Sequence, residues 1–382
     1  MFKLDRRRYR VGEPEPAYCR EADLDKPDVC GIDVSAKELV VMVERCGRRE
    51  GARNFSNTAS GHQQLRDYLA APGRPVRVCL EATGLYGLDV ALWLERDARF
   101  QVMVANPRAV KNFAQALFQR SKNDRRDASV LLEYAARMPF QAWQPPSRAA
   151  LQLTAVTRRL QTLTEQATAE KNRGHALAAT AASSTVVVAD VKRSLRAIEK
   201  AQARLARAAE KIIADDEPLQ RRYQLLRTVP GVGETSALQL LGELVLVPAN
   251  ADVRQWVAYA GLDPREYSSG SSLKKRTRIS KVGNRHVRRV LYMPALTAAH
   301  HSPVFRAYYQ HLLAAGKCKM VALIAVMRKL LHAVFGMFNN IMLLSTKPRF
   351  IPALRPSLPL PLRAESAKKG SPAPLQRKSF LD

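Results

Sequence analysis

Asp124 and Asp127 stand three residues apart in the run Ser121-Lys122-Asn123-Asp124-Arg125-Arg126-Asp127-Ala128, just before a segment whose pattern predicts a helix from Ala128 to Met138. A spacing of i, i+3 puts both carboxylates on one helical face. Arg120, Lys122, Arg125 and Arg126 surround them. Carboxylates held this close repel one another unless a cation or a shared proton relieves the charge. Two readings fit the pair. One is an ordinary acidic first turn, which the helix dipole favours. The other is half of a metal cage, completed by Asp33 and Glu81 from earlier in the chain. Clustered hard oxygen donors suit Mg²⁺, with Mn²⁺ as the alternative ion. Two such ions about 4 Å apart can clamp a phosphodiester during in-line displacement. Singly, Asp33 reads as well as a turn acid and Glu81 as a loop carboxylate; the ordered set of four carries the inference.

The elements needed to gather these acids are legible. Val29-Cys30-Gly31-Ile32-Asp33-Val34 is a short apolar run ending in an acid. Ser35-Ala36-Lys37 connects it tightly to a second β-like run, Leu39 to Glu44, so the two predict a hairpin. Arg53-Asn54-Phe55 predicts a third strand, Pro75 to Leu80 a fourth followed directly by Glu81, and Gln101 to Val104 a fifth. Helices are expected over Gly61 to Ala70, Leu85 to Glu95 and Pro107 to Phe118. Three antiparallel strands followed by alternating helices and strands is the order of an α/β, RNase H-like fold. In it the fourth strand runs beside the first, and a later helix crosses the same edge. We place this domain at residues 28–143, after a flexible N-terminus of residues 1–27.

A second candidate chemistry lies far downstream. Tyr267-Ser268-Ser269-Gly270-Ser271-Ser272 is followed by eight cations and no acid: Lys274, Lys275, Arg276, Arg278, Lys281, Arg285, Arg288 and Arg289. On the residues alone, a flexible basic loop that grips backbone phosphates is one reading. A serine nucleophile activated beside a bound phosphate is the other. Upstream, Val229-Pro230-Gly231-Val232-Gly233 leads into a predicted helix, Glu234 to Glu243, in the manner of a helix-hairpin-helix turn whose amides can hold a phosphate. There is no GxxxxGK[ST] loop, so no nucleotide hydrolysis is expected. This mainly helical domain is placed at residues 223–345. Its end includes an amphipathic helix from Lys317 to Phe338.

Between the two domains, residues 147–222 read as a coiled-coil linker. Leu153, Val156, Leu160, Leu163 and Ala167 recur at alternating spacings of three and four. Gly174 to Asp190 interrupts the seam, which resumes at Val191, Leu195, Ile198, Leu205, Ala209 and Ile212. Two long antiparallel helices, or a helical dimer arm, fit the pattern. Residues 346–382 hold seven of the 22 prolines with scattered Lys, Arg and Ser, the composition of a disordered tail.

The 382 residues carry 62 Lys and Arg against 34 Asp and Glu, a net charge of +28, which favours a polyanionic partner: nucleic acid first, an anionic membrane surface second. No apolar run is read as reaching a bilayer span, and a charged N-terminus does not read as a secretory signal. Five cysteines without CxxC spacing read as reduced thiols of a cytoplasmic protein.

Gly31-Ile32-Asp33-Val34-Ser35, Leu80-Glu81-Ala82-Thr83-Gly84 and Lys122-Asn123-Asp124 with Asp127-Ala128 resemble the RuvC-like DEDD domain of IS110/IS1111-family transposases. Asn106-Pro107 and Val110-Lys111 to Phe113-Ala114 resemble its segment before the third acid. Gly261-Leu262 with Pro264, Ser269-Gly270, and Ile279-Ser280-Lys281 to Gly283-Asn284 with Arg288 resemble the transposase domain of the same family. The resemblance covers about residues 28–340. It implies an acidic tetrad, Asp33, Glu81, Asp124 and Asp127, holding Mg²⁺, and a catalytic serine at Ser269, with Ser268 as an adjacent competitor. It also implies donor and target DNA as substrates, a bridge RNA as guide, a linker that helps assemble a homodimer or homotetramer, and a bacterial, nucleoid-associated setting. Two other functions stay open: a metal-only RuvC-like nuclease or junction resolvase, and a nucleic-acid-binding relic without catalysis.

Overall fold

The computed structural model describes residues 26–344 except 83, 85, 118–122, 181 and 270–272; for 267–269, 273–276 and 340–344 it describes the backbone. The expectations for residues 1–25 and for the tail 346–382 lie outside the described residues. The described residues divide into two compact units: those to Ala155 together with Val245–Asn250, and Val156–Leu244 together with those from Ala251.

The first unit is a mixed sheet covered by helices on both faces. β1 (Asp28–Val34) and β2 (Glu38–Arg45) form the expected hairpin; β3 (Arg48–Arg49) and β4 (Arg53–Ser56) pair antiparallel with β2. β5 (Val76–Glu81) lies parallel to β1, and β6 (Phe100–Ala105) parallel to β5, giving the path β3-β2-β1-β5-β6. The fourth expected strand thus runs beside the first. Parallel strands are buried on both faces, which is why β1 and β5 read as near-continuous apolar runs.

Side-chain alternation sorts these strands. Cys30, Ile32, Val76, Val78 and Leu80 join one core with α1 (Ala59–Ala70) and α2 (Leu88–Glu95). Cys79, Met103 and Ala105 join a second core with α3 (Pro107–Ala116) and α4 (Asp124–Arg137). By period two, Gly31 and Asp33 share the second face with Cys79 and Glu81.

Gly31 brings α4 down onto the sheet. A Cβ there would stand 2.2 Å from the Ala128 carbonyl oxygen and 2.3 Å from the Leu132 nitrogen. Both are backbone atoms, which cannot swing aside. Buried Glu133 on α4 pairs with Arg49 of β3 and, at 2.5 Å, with Arg137. At its entry, β1 is held by the buried Asp28, with Arg45 and Arg74 each at 3.1 Å.

The second unit is mainly helical. Most of α5 (Arg148–Ala178) belongs to it, with α6 (Thr185–Ala214), α7 (Glu217–Thr228), α8 (Glu234–Leu244) and α9 (Val253–Ala260). α5 and α6 lie antiparallel: Gln202 Nε2 donates to Thr164 Oγ1 (3.1 Å), Lys171 meets Glu199 (4.0 Å), and Gly174 adjoins Val191. A hairpin of β7 (Pro264–Ser269) and β8 (Leu273–Ile279) follows, then α10 (Arg285–His301), α11 (Pro303–Ala314) and α12 (Lys319–Leu344).

Three expectations are corrected. Ser268 and Ser269 and the first four cations of the basic run, Lys274 to Arg278, lie on a pair of strands and not in a loop; Pro264 pairs with Ile279 and Ser269 with Leu273, residues 270–272 lie outside the described residues, and Arg285, Arg288 and Arg289 lie on α10. Lys319–Asn339 of α12 is, over 21 residues, long and apolar enough to cross a membrane. Arg328-Lys329 and His332 break up what the eye takes for an apolar run. Ala322, Val326, Leu330, Leu331 and Val334 on this helix are buried within its own unit. Trp256 of α9 meets Phe335 and Phe338 edge-on at 5.4 and 5.8 Å. Finally, Cys30, Cys79 and Cys318 are free thiols, but Cys46, at a left-handed turn position (φ 49°), is disulfide-bonded.

Gly31→Ala should destabilise the first unit by roughly 1–3 kcal/mol, the usual cost of overpacking. Gly51→Ala, where an added Cβ meets nothing within 4 Å, should be neutral. Thermal melts of the two variants distinguish a steric demand at Gly31 from a general intolerance of alanine; equal melting temperatures would contradict the close approach.

Candidate active site

The places of the four acids are set by two parallel strands that end together and by the start of one helix that packs on them. Asp33 and Glu81 each follow the last register pair of β1 and β5, Ile32 with Leu80. Both lie on the face that α4 covers. Asp124 and Asp127 occupy the first turn of α4. Asn123 caps that helix, its side chain accepting from the Arg126 N–H at 2.9 Å. The positive end of the helix dipole thus lies among the acids.

Asp33 is the focus. Its pKa is pushed up to about 6, first by burial and then by the charges of Asp127, Asp124 and Glu81; a hydrogen bond from the Val34 amide pulls the other way. All three other sequence-chosen acids therefore act on Asp33. Among the described residues, no three acids, histidines or cysteines stand close enough to form a preassembled cage. The four carboxylates are hard oxygen donors of the kind a divalent ion takes.

Asn57 holds together the loops that follow the two strands. Its Nδ2 donates to the carbonyl of Ser35 at 2.8 Å and to that of Tyr86 at 3.1 Å. Its Oδ1 lies 2.7 Å from His62 Nε2, which therefore carries the proton. Burial lowers the pKa of His62, with Asp89 opposing. Ser35, two residues beyond Asp33, closes the β1–β2 turn by exchanging hydrogen bonds with Glu38. Glu38 also accepts from Asn54 at 2.8 Å. Glu38, Asn54, Asn123, Asp124 and Arg125 border a cavity of about 370 Å³ beside Asp124. Sequence reasoning missed Asn57, His62 and Glu38. The β1–β2 register, which pairs Asp33 with Val40, is the signal that brings Glu38 near.

In the second unit, the motif residues around Ser269 hold the base of its hairpin. Gly261 ends α9 in the left-handed region (φ 63°), and Asn284 caps α10. Arg288 donates to the Ala260 carbonyl at 2.8 Å, Ser280 Oγ to Asp263 at 2.6 Å, and the Asn284 N–H to the Tyr259 carbonyl at 2.6 Å. Buried Glu243 accepts two bonds from Arg158 (2.7 and 2.9 Å) and one from Asn284 (2.6 Å). Ser269 is the last residue of β7, at the far end from this clamp. Of the expected nucleic-acid contacts, Arg288 is committed to this clamp and Arg289 pairs with Glu165, while Arg278, Lys281 and Arg285 are exposed. The side chains of Lys274, Lys275 and Arg276 lie outside the described residues. The Pro230–Gly233 turn is seated on α10: a Cβ at Gly231 (φ 85°) would stand 2.3 Å from the Pro294 oxygen.

The raised pKa of Asp33 fixes a pH dependence. A carboxyl whose folded pKa lies above its unfolded value of 3.8 favours folding while neutral. That stabilisation is fully present below about 4 and lost as pH rises through about 6. Metal-free protein should therefore lose stability over this range relative to Asp33→Asn. The thermal shift produced by Mg²⁺ or Mn²⁺ should grow over the same range as protons cease to compete. A shift independent of pH, or one retained in full by Asp33→Asn, would contradict the assignment.

Comparison with known proteins agrees with this layout. Residues 30–181 match a DEDD model of IS110 elements described as Transposase, and residues 223–310 match one described as Transposase IS116/IS110/IS902 family. The chain is 29% identical over 290 residues to the pilin gene-inverting proteins of Moraxella bovis and Moraxella lacunata, covering 75% of this chain and 88% of each relative. It is 30% identical over 158 residues to the insertion element IS110 uncharacterized 43.6 kDa protein of Streptomyces coelicolor, covering 41% of this chain and 37% of that one. With the acids in one matched segment and the serine hairpin in the other, the chain belongs to the IS110 family of transposases, which recombine DNA.

Proposed function

We propose that this chain cuts and rejoins DNA through a covalent phosphoserine at Ser269, with Mg²⁺, or Mn²⁺, held by Asp33, Glu81, Asp124 and Asp127. The observation that carries the reading is the placement of the four acids, two at the ends of the paired strands β1 and β5 and two in the first turn of α4, with the charges of three of them acting on Asp33. We read this unit as RNase H-like, for its strand order and the place of its acids. When bound, a divalent ion supplies Lewis acidity and charge neutralisation at the scissile phosphate.

The serine step balances without a further co-reactant, the serine proton being matched by the one the leaving oxygen takes up. A bond forms between Ser269 Oγ and phosphorus, the bond from phosphorus to a sugar oxygen breaks, and that oxygen leaves as the hydroxyl. The covalent link conserves the phosphodiester, so attack by a second sugar hydroxyl rejoins strands and releases the serine. Ser269 has the support of its place at the end of a hairpin whose base is clamped. The exposed cations Arg278, Lys281 and Arg285 supply phosphate attraction nearby in sequence.

The acids and the serine belong to different units, so catalysis requires them to be united, within one chain or between copies. The half-buried apolar seam of α6, at Val191, Leu195, Ile198 and Leu205, supports a coiled-coil arm that assembles a homodimer or homotetramer. The family resemblance implies a bridge RNA, transcribed from the element, as guide to donor and target DNA, and a net charge of +28 suits RNA and DNA alike, since both are met first through phosphates.

Covalent trapping tests the proposal. Protein, Mg²⁺, labelled junction DNA and RNA from the element's flank are mixed, then resolved on a denaturing gel and by peptide mass spectrometry. DNA attached at Ser269, lost in Ser269→Ala and kept in Ser268→Ala, is the expected result. Cleavage at the wild-type rate by Ser269→Ala, with no DNA attached to protein, would make the enzyme a metal-only nuclease.

A further inference from the structure

We infer that a cavity in the second unit takes an unpaired nucleotide of a single-stranded segment of DNA or RNA. The cavity has a volume of about 660 Å³ and lies among the base of the β7–β8 hairpin, α11 and α12. That is within the range of roughly 300–1,000 Å³ typical of small-ligand pockets. Its wall is apolar, from Leu262, Ile279, Val321, Ile324 and Ala325. Val321 is 48% exposed, so that wall meets solvent.

The rim is cationic. Arg278 and Lys281 come from the hairpin side; Lys317, Arg328 and Lys329 come from the segment leading into and along α12. Among the described residues no carboxylate lines the cavity. Lys329 Nζ sits 5.6 Å from the centroid of the Tyr308 ring, which also borders it. His332 on the same wall has its pKa lowered, by burial first and then by Arg328 and Lys329. The field inside is therefore positive at neutral pH.

This pairing of surfaces selects the ligand. A duplex offers phosphates to the rim but keeps its bases stacked, leaving the apolar wall bare. An unpaired nucleotide offers both: a base for the apolar wall and the Tyr308 ring, and flanking phosphates for cations on opposite sides. Basic grooves with apolar or aromatic platforms are how single strands are held without sequence preference. Strand cutting and an RNA guide both supply such segments, so the inference rests on the nucleic-acid chemistry proposed above. It adds the place where one displaced nucleotide is parked.

The test uses the full chain and three probes: oligothymidylate, oligouridylate and a duplex of matched length, each at fixed salt. Ala325→Trp fills the cavity. Val321→Asp, at an exposed position, keeps the test open if the first variant fails to fold. Each variant should bind one or both single strands about tenfold more weakly, in line with the loss of one stacked base, and bind duplex within about twofold of wild type. Loss on oligouridylate alone identifies RNA as the source, and loss on oligothymidylate alone identifies DNA. Unchanged single-strand affinity in a folded variant, with wild type binding all three probes, overturns the cavity assignment and leaves the enzyme reading intact. Wild-type protein that binds none of the probes overturns both.

Discussion

The site depends on the absence of one side chain. Gly31 lets the backbone of α4 settle onto β1, with atoms of Ala128 and Leu132 where a Cβ would otherwise be. That approach fixes the helix start over the strand ends. Because strand residues alternate, the same face that admits the helix presents Asp33 two residues further on. Parallel pairing of β1 with β5 then brings Glu81 level with it. Backbone geometry thus sets the places of the four acids, and the charges of the other three act on Asp33. Burial first, and then those charges, push its carboxyl up to about 6.

The second unit divides its motif residues between scaffold and surface. Gly261, Ser280, Asn284 and Arg288 close the base of the β7–β8 hairpin through caps and short hydrogen bonds. Arg158 neutralises the buried Glu243 behind that base. A run of eight cations that reads as uniform in sequence is therefore not uniform in role. Arg288 is fastened to the Ala260 carbonyl and Arg289 is paired with Glu165, whereas Arg278 and Lys281 border an open cavity. Charge alone does not report which guanidinium is free to meet a phosphate.

Much of the first unit was legible before any coordinates. Strand order followed from apolar runs bounded by turns, and the four acids followed from their places at strand ends and a helix start. The binding of Asn57 to the carbonyls of Ser35 and Tyr86 was not legible, because it joins residues 22 and 29 positions away. Such long-range pairs leave no periodic trace. The hairpin at Ser269 was read as a loop because glycine, serines and lysines are poor strand formers; its pairing is set by the clamp below it. The apolar length of α12 was hidden by two adjacent charges. The α5–α6 pairing was visible as a heptad-like seam, since local spacing suffices to describe it.

The central claim is that Asp33, Glu81, Asp124 and Asp127 together hold a catalytic divalent ion. Crystals grown with Mn²⁺ and measured at its absorption edge test it most directly. The account predicts anomalous density within coordination distance of Asp33 and at least two of the other three acids. Anomalous density elsewhere, or none at these carboxylates with Mn²⁺ in excess at neutral pH, would contradict it.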